Sequence, residues 1–452
     1  MPRGFLVTAI DIGSSRIKGV VGEINDEKIE IKAFATINSR GIENGEIKDA
    51  VAFKDSIENL LVELETQEPR QPDSYFCVTF STPSTSLKIS NTEERFSERR
   101  VIDDEIVIEL LERFTAEKSK SDEMSLHNDS NDNKENSENS DKKEKLSFSP
   151  LLNEHKTLHV VPKRYIIDGV KNVSNPIDME ASILGIEASL ITVDKVQLDA
   201  LKKLLEDTNV IDPIFYSPTF AASELLLSVE EKERGTVCLN IGYSSTDFIV
   251  YFNGVPVYMQ SILLGMKNVI RDIAQVLETS FEEAERLLIQ HGLSSYEMVK
   301  EDIKIPYMML DGKTQNEVSL KKLALIIYAR LREILGNVKR EIRKAENTIN
   351  QQGGSGIPGG IVIIGGGAKV RGIVETAIEI FKLPVRVGKV EKVEDVELID
   401  EARICEDPIY LPGIGSILLF YNEEMEFEME GPRKRKSEGL FKKLWELFKK
   451  LV

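Results

Sequence analysis

The sequence predicts an α/β protein built from two similar lobes, and three observations support this prediction. An apolar strand, a glycine-containing turn and a second strand follow one another near the N-terminus, in FLVTAIDIGSSRIKGVVGEIN. The same order returns in the second half of the chain, in TVCLNIGYSSTDFIVYF. A third glycine turn joins a strand to a helix in GGIVIIGGGAKVRGIVETAIEIF. The repeated pattern indicates two halves of common design.

The composition limits the class of protein. The chain has 452 residues, 41% of them apolar and 30% charged, which allows two or three domains with their own cores. The net charge of -18 argues against general nucleic-acid binding. The cysteines Cys77 and Cys238 lie in apolar strand-like runs and are expected to be small core residues, which fits a reducing compartment. The N-terminal run is interrupted by Asp11, so it does not read as a signal peptide.

The first lobe (1A) is predicted to comprise residues 1–82 and 193–230. After the opening hairpin, KIEIKAFATI alternates as a third strand and SYFCVTFS reads as a fourth, fully buried strand. Between them, VAFKDSIENLLVELETQ carries apolar residues at helical spacing. DKVQLDALKKLLEDTN and PTFAASELLLSV supply two further helices. This lobe is therefore expected to be a sheet covered by helices.

Residues 83–192 are predicted to form a separate inserted domain (1C). A helical pattern in VIDDEIVIELLERFTAE precedes two strand patterns, TLHVVPKRYIID and SILGIEASLITV. Residues 117–150 lie inside this domain, and the run EKSKSDEMSLHNDSNDNKENSENSDKKEK offers only Met124 and Leu126 as large apolar side chains. Such a segment cannot offset its ordering entropy by burial, so we expect a disordered insertion.

The remaining chain is divided into a second lobe, a linker and a terminal helix. Its core (2A) is assigned to residues 231–262 and 345–420, and a subdomain (2B) to residues 263–344. The subdomain carries the helical patterns SFEEAERLLIQHG and LKKLALIIYARLREIL. Residues 421–436 are interpreted as a polar linker and residues 437–452 as one more helix.

The first glycine turn has the residue types of a phosphate loop. Gly13 permits a tight turn, and the amides of Ser14 and Ser15 can then face phosphate oxygens. Asp11 can hold a hydrated Mg²⁺ ion, and Lys18 can reach a phosphate as a point charge. Taken alone, the motif is weak, and an ordinary hairpin turn explains the same residues more simply.

The second and third turns extend this hypothesis. The second follows Asn240 and contains Gly242, and two such hairpins can clamp a triphosphate from both sides. In the third, the glycines 365–367 let a base and ribose lie against backbone, while the next helix places its N-terminus nearby. A plain strand-to-helix turn remains the alternative for this third turn.

The order and spacing of the three turns resemble the superfamily of actin, Hsp70 and sugar kinases. Within it, SRGIENGEIKD, NPIDMEASILGIEASL, GVPVYMQSILLGMKNVIRDIAQVLETSFEEAERLL and GIPGGIVIIGGGAKVRGIVE are similar to the FtsA family of actin-like bacterial cell-division proteins. The resemblance runs from about residue 5 to 420, apart from the insertion, and resumes at the C-terminal helix. It implies an actin-like two-lobed ATPase fold, with residues 83–192 as a strand-helix-strand-strand (SHS2) domain.

The resemblance also implies ATP and Mg²⁺ as cofactors. Glu285 matches the acidic residue expected near the ribose, although a solvated helix face would also explain it. The matching ATP-binding positions are Asp11, Gly13, Ser14, Ser15, Lys18, Gly242, Ser245, Thr246, Glu285, Gly365, Gly366, Gly367 and Ala368. The family usually has Asp, Gly and Lys where this chain has Asn240, Tyr243 and Leu288. ATP binding is therefore expected, with at most weak hydrolysis, and no catalytic residue is assigned.

Three kinds of protein partner follow from the resemblance. The inserted domain is expected to contact the next protomer of a head-to-tail filament, and to meet other divisome proteins. The C-terminal peptide of the tubulin-like protein FtsZ is expected at the helix beginning at residue 320, near Lys321, Lys322, Arg330 and Arg332. A solvated basic helix face is the alternative for these residues.

The C-terminal segment GPRKRKSEGLFKKLWELFKKLV has the pattern of an interfacial membrane helix. From Arg433 to Val452 its net charge is +6, opposite in sign to the whole chain. Its membrane-facing residues are expected to be Leu440, Phe441, Leu444, Trp445, Phe448 and Leu451, beside Lys442, Lys443, Lys449 and Lys450. A coiled-coil segment or a helix docked on the body are the alternatives. The predicted location is the cytoplasmic face of the inner membrane at the division site.

The function predicted is an ATP-binding cell-division protein that polymerises and tethers the FtsZ ring to the membrane. A pilus-assembly adaptor of the same fold is the first alternative, although it would normally lack the basic tail. An actin-like small-molecule kinase is the second, and it would need a carboxylate aimed at a substrate hydroxyl.

Overall fold

The computed structural model describes residues 4–25, 28–71, 74–107, 109–111, 155–351, 353–354, 356–390, 393 and 396–428. The predicted disordered insertion 117–150 and the predicted terminal helix 437–452 lie outside the described residues. Within those residues, no helix combines the length and apolar content needed to cross a bilayer.

Runs of strands and helices follow one another along the described chain. The strands are β1 (Phe5–Ile12), β2 (Arg16–Asn25), β3 (Lys28–Asn38), β4 (Ile42–Glu43), β5 (Glu46–Ile47), β6 (Tyr75–Phe80), β7 (Ser86–Val101), β8 (His155–Ile167), β9 (Lys171–Val173), β10 (Glu180–Asp194), β11 (Ile214–Tyr216), β12 (Thr236–Ile241), β13 (Thr246–Phe252), β14 (Val255–Ile262), β15 (Lys304–Met308), β16 (Gln315–Ser319), β17 (Ile361–Ile364), β18 (Val385–Val387) and β19 (Glu397–Ile399). The helices are α1 (Ala50–Gln67), α2 (104–107 and 109–111), α3 (Lys195–Glu206), α4 (Pro218–Leu226), α5 (Val229–Arg234), α6 (Met266–Leu277), α7 (Phe281–His291), α8 (Leu320–Gln351), α9 (Ile373–Phe381) and α10 (Leu411–Glu428).

The first lobe is a mixed sheet in the order β11-β6-β1-β2-β3-β19. β1 and β2 form the predicted hairpin, in which Asp11 lies opposite Lys18. Helix α1 begins at the N-cap Asp49, whose side chain accepts from two backbone amides of the first turn. The helix buries the apolar stripe that its spacing predicts, and this stripe contains Phe53, Ile57, Leu60, Leu61 and Leu64.

The inserted domain is a sheet in the order β7-β10-β8-β9, with α2 packed against it. Apart from the three-residue strand β9, its elements follow the chain as strand (β7), helix (α2), strand (β8) and strand (β10), as the resemblance implies. Ile106 and Leu110 of α2 join Leu184 and Ile186 of β10 in the core of the domain. The hydroxyl of Ser189 donates to the carbonyl of Pro256 at 2.6 Å, which ties β10 to the second lobe.

The second lobe is a sheet in the order β14-β13-β12-β17-β18, with α6, α7, α8 and the β15–β16 ribbon packed around it. Between the two lobes lie α4 and α10. Ala221 of α4 and Ile414 of α10 share one buried cluster with Ala9 of the first sheet and Cys238 of the second. The carboxyl-side ends of β1, β6, β12 and β17 are consequently brought to one cleft between the lobes.

Two of the predicted boundaries differ from the structure. β19 pairs in parallel with β3, and α10 packs on α4, β1 and β6, so the chain returns to the first lobe before residue 420. The predicted polar linker is helical at its start, because α10 continues to Glu428. Tyr421 is buried, and Tyr216 donates its hydroxyl to Glu423 at 2.8 Å, which anchors this end of the helix.

Candidate functional site

The cleft between the lobes encloses a cavity of about 590 Å³ that all three glycine turns line. Ten of the thirteen predicted ATP-binding residues face it. These are Asp11, Gly13, Ser14, Ser15, Lys18, Gly242, Ser245, Glu285, Gly365 and Gly366. The sequence-distant turns therefore meet at one place, and each lobe contributes to the lining.

The first turn holds a paired carboxylate. The ammonium of Lys18 lies 2.5 Å from Oδ2 of Asp11, and the hydroxyl of Thr79 donates to Oδ1 at 2.8 Å. Both carboxylate oxygens of Asp11 consequently have a donor. Asp11 can still take part in holding Mg²⁺ through a coordinated water, because that ion keeps most of its hydration shell in phosphate sites.

The β4–β5 hairpin covers the first turn, and sequence reasoning missed it. The amide of Gly45 donates to the hydroxyl of Ser14 at 3.2 Å, and Asn44 and Gly45 line the cavity. Glu43 of this hairpin lies 2.9 Å from the ammonium of Lys267 at the start of α6. The hydrogen bond from Lys267 lowers the pKa of the Glu43 carboxyl. This ion pair bridges the two lobes across the cleft.

The second turn is closed by backbone hydrogen bonds. The amide of Gly242 donates to the carbonyl of Ser245 at 2.9 Å, and the amide of Met266 donates back to the carbonyl of Gly242. Thr246 does not line the cavity. Its side chain is buried, and its hydroxyl donates to the carbonyl of Leu264 at 2.7 Å. Thr246 therefore supports the turn from behind.

Asp247 is a lining residue that the sequence analysis did not select. It lies directly opposite Asn240 across the β12–β13 hairpin, and both residues line the cavity. Only 4% of Asp247 is exposed, and burial raises the pKa of its carboxyl to about 6, although the hydroxyls of Ser261, Ser245 and Ser81 oppose this shift. A carboxylate inside the otherwise apolar strand TDFIVYF was the available signal.

The third turn requires glycine at its first position. Gly365 has a φ of +82°, and a Cβ atom there would lie 2.3 Å from Oδ1 of Asn240. A Cβ atom at Gly367 would meet Ile241 at 2.3 Å, and Ala368 is buried. Gly367 and Ala368 therefore shape the turn from inside, and of the four ATP-binding residues predicted in this turn only Gly365 and Gly366 line the cavity.

The other end of the cavity is apolar with polar edges. Met266, Ile270 and Leu288 line it together with Glu285 of α7. Burial, together with the nearby charge of Glu285, raises the pKa of the Tyr243 hydroxyl. A flat, apolar face beside hydrogen-bonding groups is the chemistry that suits a purine nucleoside.

The basic residues predicted on α8 separate into two kinds. The guanidinium of Arg330 binds both carboxylate oxygens of Asp272, at 2.7 and 2.8 Å. Lys321, Lys322 and Arg332 are exposed.

The residues predicted to bind the membrane, from Leu440 to Leu451, lie outside the part of the chain that the structure describes.

The comparisons with known proteins decide the family. The family model described as "Cell division protein FtsA" matches residues 237–415, and "SHS2 domain inserted in FTSA" matches residues 144–192. Cell division protein FtsA of Borreliella burgdorferi is 30% identical over 432 residues, which cover 93% of this chain and 92% of that protein. The chain belongs to the FtsA family of cell division proteins. The resemblance predicted from the three turns and the inserted domain is thereby confirmed.

Solved structures confirm the fold that the FtsA family implies. The PilM–PilN type IV pilus biogenesis complex contains a chain that matches with a TM-score of 0.57 and 15% identity, covering 92% of this chain and 98% of that one. MreB5 of Spiroplasma citri bound to ADP matches with a TM-score of 0.51 and 12% identity, covering 94% and 99%. At these identities the likeness is one of fold, and it shows that this FtsA-family chain has the predicted actin-like architecture.

Proposed function

We propose that this FtsA-family chain binds ATP and Mg²⁺ between its lobes, polymerises, and tethers the FtsZ ring to the cytoplasmic membrane. The observation that carries the proposal is the meeting of three glycine turns from two lobes at one cavity. A single hairpin turn of this kind is commonplace, but three that converge from distant parts of the chain supply facing amides for a chain of phosphates.

The cavity offers matched surfaces for the parts of ATP. The amides of Ser14 and Ser15 and the ammonium of Lys18 suit the phosphates, and the Gly365–Gly366 backbone suits the adenosine. The residue types of Asp11 and Asp247 suit the hydration shell of Mg²⁺. MreB5, which has the same fold, is known bound to ADP, and this supports a nucleotide as the ligand here.

Self-association is proposed through the inserted domain. When identical protomers join through two different surfaces, each protomer can bind the next one. The result is a filament unless the rotation between protomers closes a ring. The inserted domain projects its own sheet, β7-β10-β8-β9, beside the two lobes, which makes it available as one of those surfaces. Other divisome proteins are proposed to meet the same domain.

The FtsZ peptide is proposed to dock on the exposed basic side of α8. Lys321, Lys322 and Arg332 are exposed there, whereas Arg330 is held by Asp272 and serves to fix α8 against α6.

We expect Arg332→Glu to weaken binding of a labelled FtsZ C-terminal peptide about three- to tenfold in fluorescence anisotropy, because it reverses one charge. An unchanged affinity would remove α8 from the contact.

Nucleotide binding is tested by thermal unfolding of the full chain with and without ATP and Mg²⁺. A ligand present at 100 times its Kd adds about 2.7 kcal/mol of stability, so the unfolding midpoint should rise by about 3 °C or more. No rise at millimolar ATP, in either the presence or absence of Mg²⁺, would contradict the proposed site.

The two alternative functions are less well supported. The chain is 30% identical to an FtsA protein but 15% identical to the pilus protein that shares its fold, so the adaptor function has no support beyond architecture.

A small-molecule kinase would transfer phosphate from ATP to a sugar. A panel of sugars incubated with the protein and labelled ATP should show no transfer.

A further inference from the structure

We propose that the β4–β5 hairpin is a latch between the two lobes, and that its ion pair with α6 sets the rates at which nucleotide enters and leaves the cleft. This inference rests on the proposed ATP site and concerns the regulation of that site. Three features support it: the anchoring of the hairpin in the first lobe, the groups that its ion pair joins, and the exposure of that pair.

The hairpin is held firmly by the first lobe. Ile42 and Ile47, in its two strands, pack against the apolar core that α1 covers. At its tip, the amide of Gly45 donates to the hydroxyl of Ser14 at 3.2 Å. A Cβ atom at Gly45 would lie 2.7 Å from the carbonyl oxygen of Ser81, so the tip rests directly on the chain that follows β6. The hairpin therefore presents its acidic side chain to the second lobe from a fixed position beside the first turn.

Lys267, the second residue of α6, joins the hairpin to the second glycine turn. Its ammonium lies 2.9 Å from Oε1 of Glu43. Its backbone amide donates to the carbonyl of Tyr243 at 2.8 Å, and the amide of the preceding Met266 donates to the carbonyl of Gly242 at 3.0 Å. Through its side chain and its backbone, Lys267 thus ties the first lobe to the second turn, so the ion pair holds the first and second turns close together.

The ion pair is exposed, whereas the helices between the lobes are buried. The side chain of Glu43 is 57% exposed and that of Lys267 is 24% exposed. Helices α4 and α10 pack on each other and share a buried apolar cluster with both sheets. Separating two hydrated charges exposes little apolar surface, but separating these helices would expose much of it. We therefore expect the cleft to open at the ion pair while α4 and α10 stay packed.

An ion pair between lobes acts on the opening of the cleft, and a pair within one lobe does not. The pair of Glu46 and Lys48 joins two residues of the first lobe, so it is present in the open and the closed form alike. The pair of Glu43 and Lys267 exists only when the lobes are closed, so all of its interaction energy acts on the equilibrium between the two forms. Exposed pairs are weak, and the expected shift is about two- to fivefold.

A latch affects both directions of nucleotide exchange. Asn44 and Gly45 of the hairpin line the cavity, so a nucleotide held between the first and second turns lies beside the latch. It leaves only when the turns move apart, and an empty closed cleft must open in the same way to admit it. The latch therefore slows entry and release together and changes the affinity less than either rate. A direct contact with the nucleotide would act on the rate of release alone.

The experiment measures both rates on the full chain by stopped-flow fluorescence, with an N-methylanthraniloyl derivative of ATP and Mg²⁺. Glu43→Gln removes the charge and keeps the shape of the side chain. We expect this variant to bind and to release the nucleotide about two- to fivefold faster than the wild type, with a Kd within about twofold. Because salt screens exposed charges, the difference between the two proteins should shrink as the ionic strength rises.

Two further variants show whether the partner across the cleft is responsible. Glu46→Gln removes a carboxylate from the same hairpin whose ion pair stays within the first lobe, so it is the matched control and should exchange nucleotide at the wild-type rates. Glu43→Lys should be faster than Glu43→Gln. Adding Lys267→Glu to Glu43→Lys restores the pair with reversed charges and should return both rates to within about twofold of the wild type.

Unchanged release by Glu43→Gln would overturn the inference. Faster release with an unchanged rate of entry would also overturn it, because Glu43 would then contact the nucleotide and not act as a latch. A wild type that binds no nucleotide would instead overturn the proposed function on which the inference rests.

Discussion

Replacing Gly365 with alanine is expected to lower the affinity for ATP by about 10- to 100-fold. The residue has a φ of +82°, and the new Cβ atom would lie 2.3 Å from Oδ1 of Asn240 and 2.8 Å from the carbonyl oxygen of Ile241. Strain of this kind costs on the order of 1–3 kcal/mol, and the backbone of Ile241 cannot move away without moving β12. The third turn must therefore shift relative to the second, which separates the two surfaces that hold the nucleotide. Calorimetric titration with ATP and Mg²⁺ measures the loss.

Gly312→Ala is the control for backbone strain alone. Gly312 also has a positive φ, of +65°, but no atom lies within 4 Å of its added Cβ, and it belongs to the turn between β15 and β16. This variant should lose some stability and bind ATP as the wild type does. If the two variants bound ATP equally well, the third turn would have no part in nucleotide binding.

Ending the chain at Gly431 is expected to abolish binding to anionic vesicles. The removed segment carries a net charge of +6, and each basic residue near an anionic leaflet contributes about 1 kcal/mol. Burial of its Leu, Phe and Trp side chains at the interface adds about 1.5–3 kcal/mol for each one fully buried. Co-sedimentation with vesicles of phosphatidylglycerol and phosphatidylethanolamine should therefore show the full chain in the pellet and the shortened chain in the supernatant.

Polymerisation should amplify this difference. A filament presents many tails at once, so its attachment is much tighter than that of one protomer. Electron microscopy on acidic lipid monolayers with ATP should show filaments coating the lipid only when the tail is present. A Leu444→Glu and Phe448→Glu double variant keeps the length and most of the basic charge but should behave like the shortened chain. Equal coating by the full and shortened chains would mean that the tail does not anchor the protein.

Much of the fold could be predicted because its signals are local. The β1–β2 and β12–β13 hairpins follow from strand periodicity around a glycine, and the buried face of α1 follows from helical spacing. The return of β19 and α10 to the first lobe could not be predicted, because a three-residue strand has no periodicity and its pairing with β3 spans most of the chain. The β4–β5 hairpin was predictable in principle, since Asn44-Gly45 is a strong turn signal.

Residue spacing alone could not identify which side chains of the glycine turns line the cavity. Thr246 and Asp247 are adjacent in β13, so their side chains project from opposite faces of the sheet. The sequence alone does not tell which face lines the cleft, and the resemblance favoured Thr246. The structure buries Thr246 behind the turn and sets Asp247 in the cavity wall. Gly367 and Ala368 were also predicted to line the cavity and do not. They lie in the 3₁₀ turn 366–369, which turns them towards Ile241.

The most direct test of this account is an experimental structure of the full chain with ATP and Mg²⁺. We expect the phosphates between the first turn at Ser14 and the second turn at Gly242, and the adenosine against Gly365 and Gly366. Nucleotide density at any other place, or a second lobe turned away so that Gly242 and Ser14 no longer face one cavity, would contradict it.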